Sequence, residues 1–131
     1  MSESGGTQPT SPAATVIGTV VSGDSGNLAA AAGTATLPAV AGKTTWATGI
    51  VVTGLGATAA STIVCTITGP ANAVNFAFTV PAGAAVTAQP LALEFPIPIP
   101  AAAPNTALVL NVPSFGAGNT NARGTIHGYQ A

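Results

Sequence analysis

From Thr15 onward the chain is written in short runs in which apolar and polar side chains alternate. The clearest is STIVCTITG (61–69), where Ile63, Cys65 and Ile67 alternate with Thr62, Val64, Thr66 and Thr68. Leu108, Leu110 and Val112 share one face of TALVLNVP (106–113). Trp46, Thr48, Ile50 and Val52 share one face of TTWATGIVVTG (44–54). The other runs are TVIGTVVS (15–22), GTATLPAV (33–40), AVNFAFTVP (73–81), QPLALEFPIPIP (89–100) and ARGTIHGYQ (122–130). A period of two, many β-branched residues and regular Gly, Pro and Asn punctuation predict an all-β fold. The expected form is an antiparallel β-sandwich of about eight strands, jelly-roll-like or immunoglobulin-like. The alanine-rich NLAAAAGTATL (27–37) invites a helix, but Gly33 interrupts it and the Thr-rich continuation does not sustain it. It reads as a loop running into a strand. Residues 1–15, MSESGGTQPTSPAAT, have almost nothing to bury and read as an extended N-terminal arm preceding a sandwich domain over 16–131.

One run conflicts with its own pattern. In LALEFPIPIP (91–100), Leu91, Leu93, Phe95, Ile97 and Ile99 occupy the odd positions, while Pro96, Pro98 and Pro100 occupy even ones. Successive N–H groups of a strand point to opposite edges, so these prolines remove donors along one edge only. The segment reads as a sheet edge guarded against further pairing. The alternative is a polyproline-like segment lying on the core.

Composition narrows the function classes. The 131 residues are 47% hydrophobic and only 4% charged, where about 25% charged is ordinary. Glu3, Asp24, Lys43, Glu94 and Arg123 are all the charges, and His127 is the single histidine. A surface of Thr, Ser, Asn, Gly and Ala is cheap to desolvate, because it has little rotamer entropy to lose and no charge to strip of water. Such a chain suits close packing against other proteins better than free diffusion. With two basic residues it has no electrostatic footprint for nucleic acid or an anionic membrane. The single Cys65 excludes an internal disulfide. The N-terminus lacks the basic and apolar regions of a signal peptide, and no apolar run is long enough for a membrane helix. Cytoplasmic synthesis without export is the expectation.

Candidate chemistry is sparse. His127, Asp24 and a serine could be combined into a triad on paper, but no GxSxG elbow supports it; His127 is expected to face solvent or an interface. The carboxylates do not pair: Glu3 falls in the arm, Asp24 in a Gly/Ser turn, and Glu94 alone on the outward, proline-bearing face of its strand. One cysteine and one histidine do not make a metal site, and the alternation around Cys65 reads as a buried, inert thiol. GLGATAAS (54–61) lacks both GxGxxG spacing and a GK[ST] ending and reads as a strand-to-strand loop. Trp46 is expected in the core; exposed, it would suit an interface or a sugar platform. No catalytic, cofactor-binding or metal-ligating residue is assigned.

The stretch from TTWATGIVVTG to the C-terminus, about two thirds of the chain, resembles small virion proteins of tailed bacteriophages. The resemblance lies in the early Trp strand, the TVPAGA turn (79–84), the LxLxFPxPIP strand and the ending VPSFGAGNTNARGTIHGYQ (112–130). It is strongest to the β-sandwich decoration, or cement, proteins on the outside of phage capsids. It implies a jelly-roll-like sandwich that oligomerises, binds the major capsid protein across subunits and resides on the outer surface of the virion. A receptor- or carbohydrate-binding fibre module is the alternative; an enzyme is not expected.

Overall fold

The structure is a computed structural model and describes residues 18–131. The expected arm over 1–15, with Glu3, and the opening residues of the first run lie outside the described residues. Eight strands follow: β1 (Thr19–Asp24), β2 (Gly33–Leu37), β3 (Thr45–Gly54), β4 (Ser61–Thr68), β5 (Val74–Val80), β6 (Leu91–Pro100), β7 (Leu108–Val112) and β8 (Ala122–Gln130). Seven fall within the alternating runs, and β1 continues two residues past its run to Asp24. The alanine-rich stretch is a loop that becomes β2, as its Gly33 indicates.

The strands form two four-stranded antiparallel sheets, sheet A ordered β1-β8-β3-β6 and sheet B ordered β2-β7-β4-β5. The first strand pairs with the last, the second with the seventh, the third with the sixth and the fourth with the fifth. The chain is thus a long hairpin, doubled back between β4 and β5 and wrapped into two layers, which is the jelly-roll topology. Alternate residues of both sheets meet in the core, where Leu37, Ile50, Val52, Ile67, Val80, Leu108, Leu110 and Ile126 are fully buried. Phe115, from the β7–β8 connection, closes one end of the core with its ring 5.0 Å from that of Phe78.

Two expectations about side-chain facing change at one place. Thr48 has no register partner on either neighbouring strand, so β3 bulges there. The Thr48 hydroxyl donates to the His127 carbonyl at 3.2 Å, which helps to hold the irregularity. An inserted residue inverts the alternation. Ala47, Ile50 and Val52 are therefore buried, while Trp46 points out of the sandwich and is only half-buried. Trp46 is not a core residue, and it does not share a face with Ile50 and Val52.

The partner strand β6 is irregular at the same level. Glu94 pairs with Gly49 and Ile99 with Ala47, so Phe95, Pro96, Ile97 and Pro98 stand opposite Thr48 with no ladder partner. Pro96 and Pro98 both lie within this unpaired stretch. The slip turns Ile97 outward, 84% exposed, out of phase with the other apolar odd positions of this run. β6 is nonetheless the edge strand of sheet A, and the proline-guarded edge is where the sequence put it.

Candidate functional surfaces

Because alternate residues point outward, each sheet presents a patterned outer face, and the two faces differ in chemistry. Sheet A gathers the titratable groups. In register across it run Val20, Tyr129, Trp46 and Pro100; then Ser22, His127, Gly49 and Glu94; then Asp24, Thr125, Val51 and Ala92. Trp46 and Tyr129 stack with ring centroids 5.9 Å apart and planes 12° from parallel. With Val20, 71% exposed at the β1 edge, they form an apolar row across the sheet. In the next row the His127 imidazole lies over Gly49, and its Nε2 reaches Glu94 Oε2 at 3.1 Å. Arg123 Nη1 donates to Asp24 Oδ2 at 2.6 Å, with both side chains about half exposed.

These positions settle several expectations. Asp24 is not in a turn: it ends β1 opposite Thr125, because pairing with β8 continues to that point. Its partner is Arg123, so the paper triad of His127 and Asp24 is not assembled. The His127 ring instead leans over Gly49 towards β6, away from Ser22 on β1. Glu94 faces outward as expected but does not stand alone, since His127 reaches it across Gly49. Lys43 lies apart in the β2–β3 connection. Cys65 is fully buried between Ile63 and Ile67, and burial pushes its thiol up to about 11. GLGATAAS joins β3 to β4, its backbone tied to the β5–β6 connection by Gly83 N donating to the Ala57 carbonyl at 2.7 Å.

Sheet B has a different outer face. Its outward residues are Thr34 and Thr36 on β2, Val109 and Asn111 on β7, and Thr62, Val64, Thr66 and Thr68 on β4. On β5 they are Asn75, Ala77 and Thr79. None is charged. Thr34, Asn111, Thr66 and Asn75 align across all four strands. Their polar groups largely satisfy one another. The Thr66 hydroxyl donates to Asn75 Oδ1 at 2.7 Å, and the Asn111 amide donates to the Thr66 carbonyl at 3.1 Å and the Thr68 hydroxyl at 3.2 Å. Groups already bonded to each other have less hydration to lose when covered. Val64, 51% exposed, lies beside this row.

Compared with known proteins, the chain matches no family model, no curated protein and no solved structure. The two outer faces are the features of the molecule that bear on function. The sequence reading missed the segregation of charge onto sheet A and the Trp46–Tyr129 stack. The Thr48-Gly49 step inside an otherwise regular strand was the available signal, since a glycine in a strand interior often marks a bulge or a close approach.

Proposed function

We propose that this protein is a structural virion protein that decorates and stabilises a bacteriophage capsid by binding across capsid subunits, with the outer face of sheet B against the lattice. The observation that carries the reading is that face: four strands wide, uncharged, internally hydrogen-bonded and centred near the exposed Val64. Such a face has a low desolvation cost, which suits a surface that remains covered for the life of a particle. The charged groups of sheet A face the other way and would stay in water. The resemblance of the second half of the chain to decoration proteins supports the same role.

Co-sedimentation with undecorated capsids tests it. The chain is expected to bind, and binding should change little between low and moderate salt, because the contact face carries no charge to screen. Val64→Lys should abolish binding, whereas Thr125→Lys, on the outer face of sheet A, should leave it intact. Failure to sediment with capsids, or loss with Thr125→Lys alone, overturns the proposal.

A second reading, a receptor- or carbohydrate-binding module, is favoured by the Trp46–Tyr129 pair, since stacked aromatics on a sheet face can seat a sugar ring. Trp46 is the single tryptophan, so its fluorescence reports that face directly. A saturable change on titration with host-surface glycans would support this reading over the first.

A further inference from the structure

A sandwich of two open sheets has four edge strands, here β1, β6, β2 and β5. At one side the sheets close on each other: β1 packs against β2, and Gly23 lies so near the Thr36 backbone that a side chain there would collide with it. On the other side β6 carries Pro96, Pro98 and Pro100 and a four-residue interruption of its ladder. That leaves β5. It pairs with β4 over an unbroken register from Val74↔Ile67 to Val80↔Ser61. Among the described residues, no backbone group of Val74–Val80 hydrogen-bonds to anything but β4. It contains no proline, glycine or charge. An uncharged edge with an unbroken register, whose outward N–H and C=O groups have no partner among the described residues, is a template for strand addition.

The strand is also its own complement. Its sequence, VNFAFTV, reads almost the same in both directions about Ala77: Val74 matches Val80, Asn75 matches Thr79 and Phe76 matches Phe78. We propose that two copies of this chain associate through antiparallel pairing of their β5 edges, with the two-fold axis at Ala77. Val74 then meets Val80, Phe76 meets Phe78 and Ala77 meets itself. Phe76 faces the second copy's Phe78 on the inner side, beside the Phe95 ring that stacks on Phe76 at 6.0 Å. Asn75 faces the second copy's Thr79 on the outer side. The Thr66 hydroxyl donates to Asn75 Oδ1, and the Asn75 amide remains available to donate to the second copy's Thr79 hydroxyl. The two sheets B become one eight-stranded sheet whose uncharged outer face is continuous. An isologous contact of this kind closes at the dimer and leaves no further open edge of the same type. The proposal does not depend on the capsid reading, because the purified chain alone tests it.

The experiment is sedimentation of the full chain with three variants at the axis. The parent should be a dimer at micromolar concentration. Ala77→Lys places two like charges opposite each other across the axis and should weaken dimerisation about tenfold or more. Ala77→Asp should do the same alone, and mixing the Lys and Asp variants should restore association, a rescue that a purely structural defect would not show. Ala77→Cys should form a disulfide-linked dimer under mild oxidation, since only this position meets itself; the native Cys65 is buried. Should a charged variant fail to fold, the cysteine variant decides. A parent that stays monomeric at ~100 μM, or a dimer that survives Ala77→Lys and does not cross-link through Ala77→Cys, overturns the assignment.

Discussion

His127 and Gly49 stand opposite each other on β8 and β3, and the imidazole of the first lies where the second would carry a Cβ. The glycine is the passage by which His127 crosses β3 to reach Glu94 on β6. Gly49→Ala should close it. The added methyl meets His127 and also the Leu93 carbonyl at 2.7 Å, and that backbone cannot swing aside. A loss of roughly 1–3 kcal/mol in unfolding free energy is expected. The paired variant Gly49→Ala with His127→Ala should recover only the part due to the ring. Chemical denaturation of the two variants measures both parts. Equal stability of Gly49→Ala and the parent would show that β3 and β6 can separate at this level.

Burial of Cys65 gives a pH dependence with a defined sign. Its folded pKa, about 11, lies above the ordinary 9.0, so the folded chain holds the thiol proton more tightly than the unfolded chain does. That contribution is complete below pH 9.0 and is lost as pH rises through about 11. By the usual conversion it amounts to about 2–3 kcal/mol. Unfolding free energies at several pH values should fall more steeply over this window for the parent than for Cys65→Ala. Every other side chain is the same in the two chains, so the difference isolates the thiol. At pH 7 to 8, Cys65 should react with a thiol reagent only at the rate of unfolding.

The eight strands of an all-β sandwich were legible because their determinants are local. Ile63, Cys65 and Ile67 on β4, and Leu108, Leu110 and Val112 on β7, alternate without interruption and are buried or half-buried as read. Trp46 was not legible, because its facing depends on one unpaired residue two positions away, and a bulge is decided by both neighbouring strands together. Ile97 failed for the same reason, its phase lost where β6 leaves the ladder opposite Thr48. The two outer faces lay further still from what a one-dimensional pattern can show. Asp24 and Arg123 are 99 positions apart, and only the pairing of the first strand with the last brings them together. The near-palindrome of β5 was in plain view, but it acquires meaning only once that strand is placed at an edge.

Asn119 holds three connections together. It is 3% exposed. Its amide donates to the carbonyls of Leu55 at 2.9 Å and Asn121 at 3.1 Å, with that of Gly56 at 3.2 Å, and its Oδ1 accepts from Ala30 N at 3.3 Å. Asn119→Ala removes these bonds, takes from the buried Gly56 carbonyl its amide donor and should lower stability by about 1–3 kcal/mol. Asn119→Asp should be worse at neutral pH, since it sets a carboxylate against carbonyl oxygens. Thermal unfolding ranks the two. An alanine variant within about 0.5 kcal/mol of the parent, the usual range for a neutral surface change, would mean that water replaces the amide and that the loops hold without it.

The guarded edge can be tested separately from the open one. Pro96 and Pro98 occupy the part of β6 that has left the β3 ladder, while Leu91–Glu94 and Ile99–Pro100 remain paired on either side. Replacing both prolines by threonine therefore removes no native hydrogen bond. It frees the unfolded chain by two fixed φ angles, a cost of about 0.4–1 kcal/mol each, and adds two N–H donors at a sheet edge. The double variant should fold, melt a few degrees lower, and associate slowly through β6 in a way the parent does not. Ala77→Lys separates the two edges: it should suppress pairing through β5 and leave association through β6 untouched. Light scattering of the double variant with and without Ala77→Lys reads the difference. If scattering disappears when Ala77→Lys is added, the new association runs through β5 and the prolines guard nothing. If the double variant unfolds instead of associating, Pro96 and Pro98 serve to hold the backbone of the interruption through their fixed φ, and the exposed Ile97 between them is the residue whose presentation they secure.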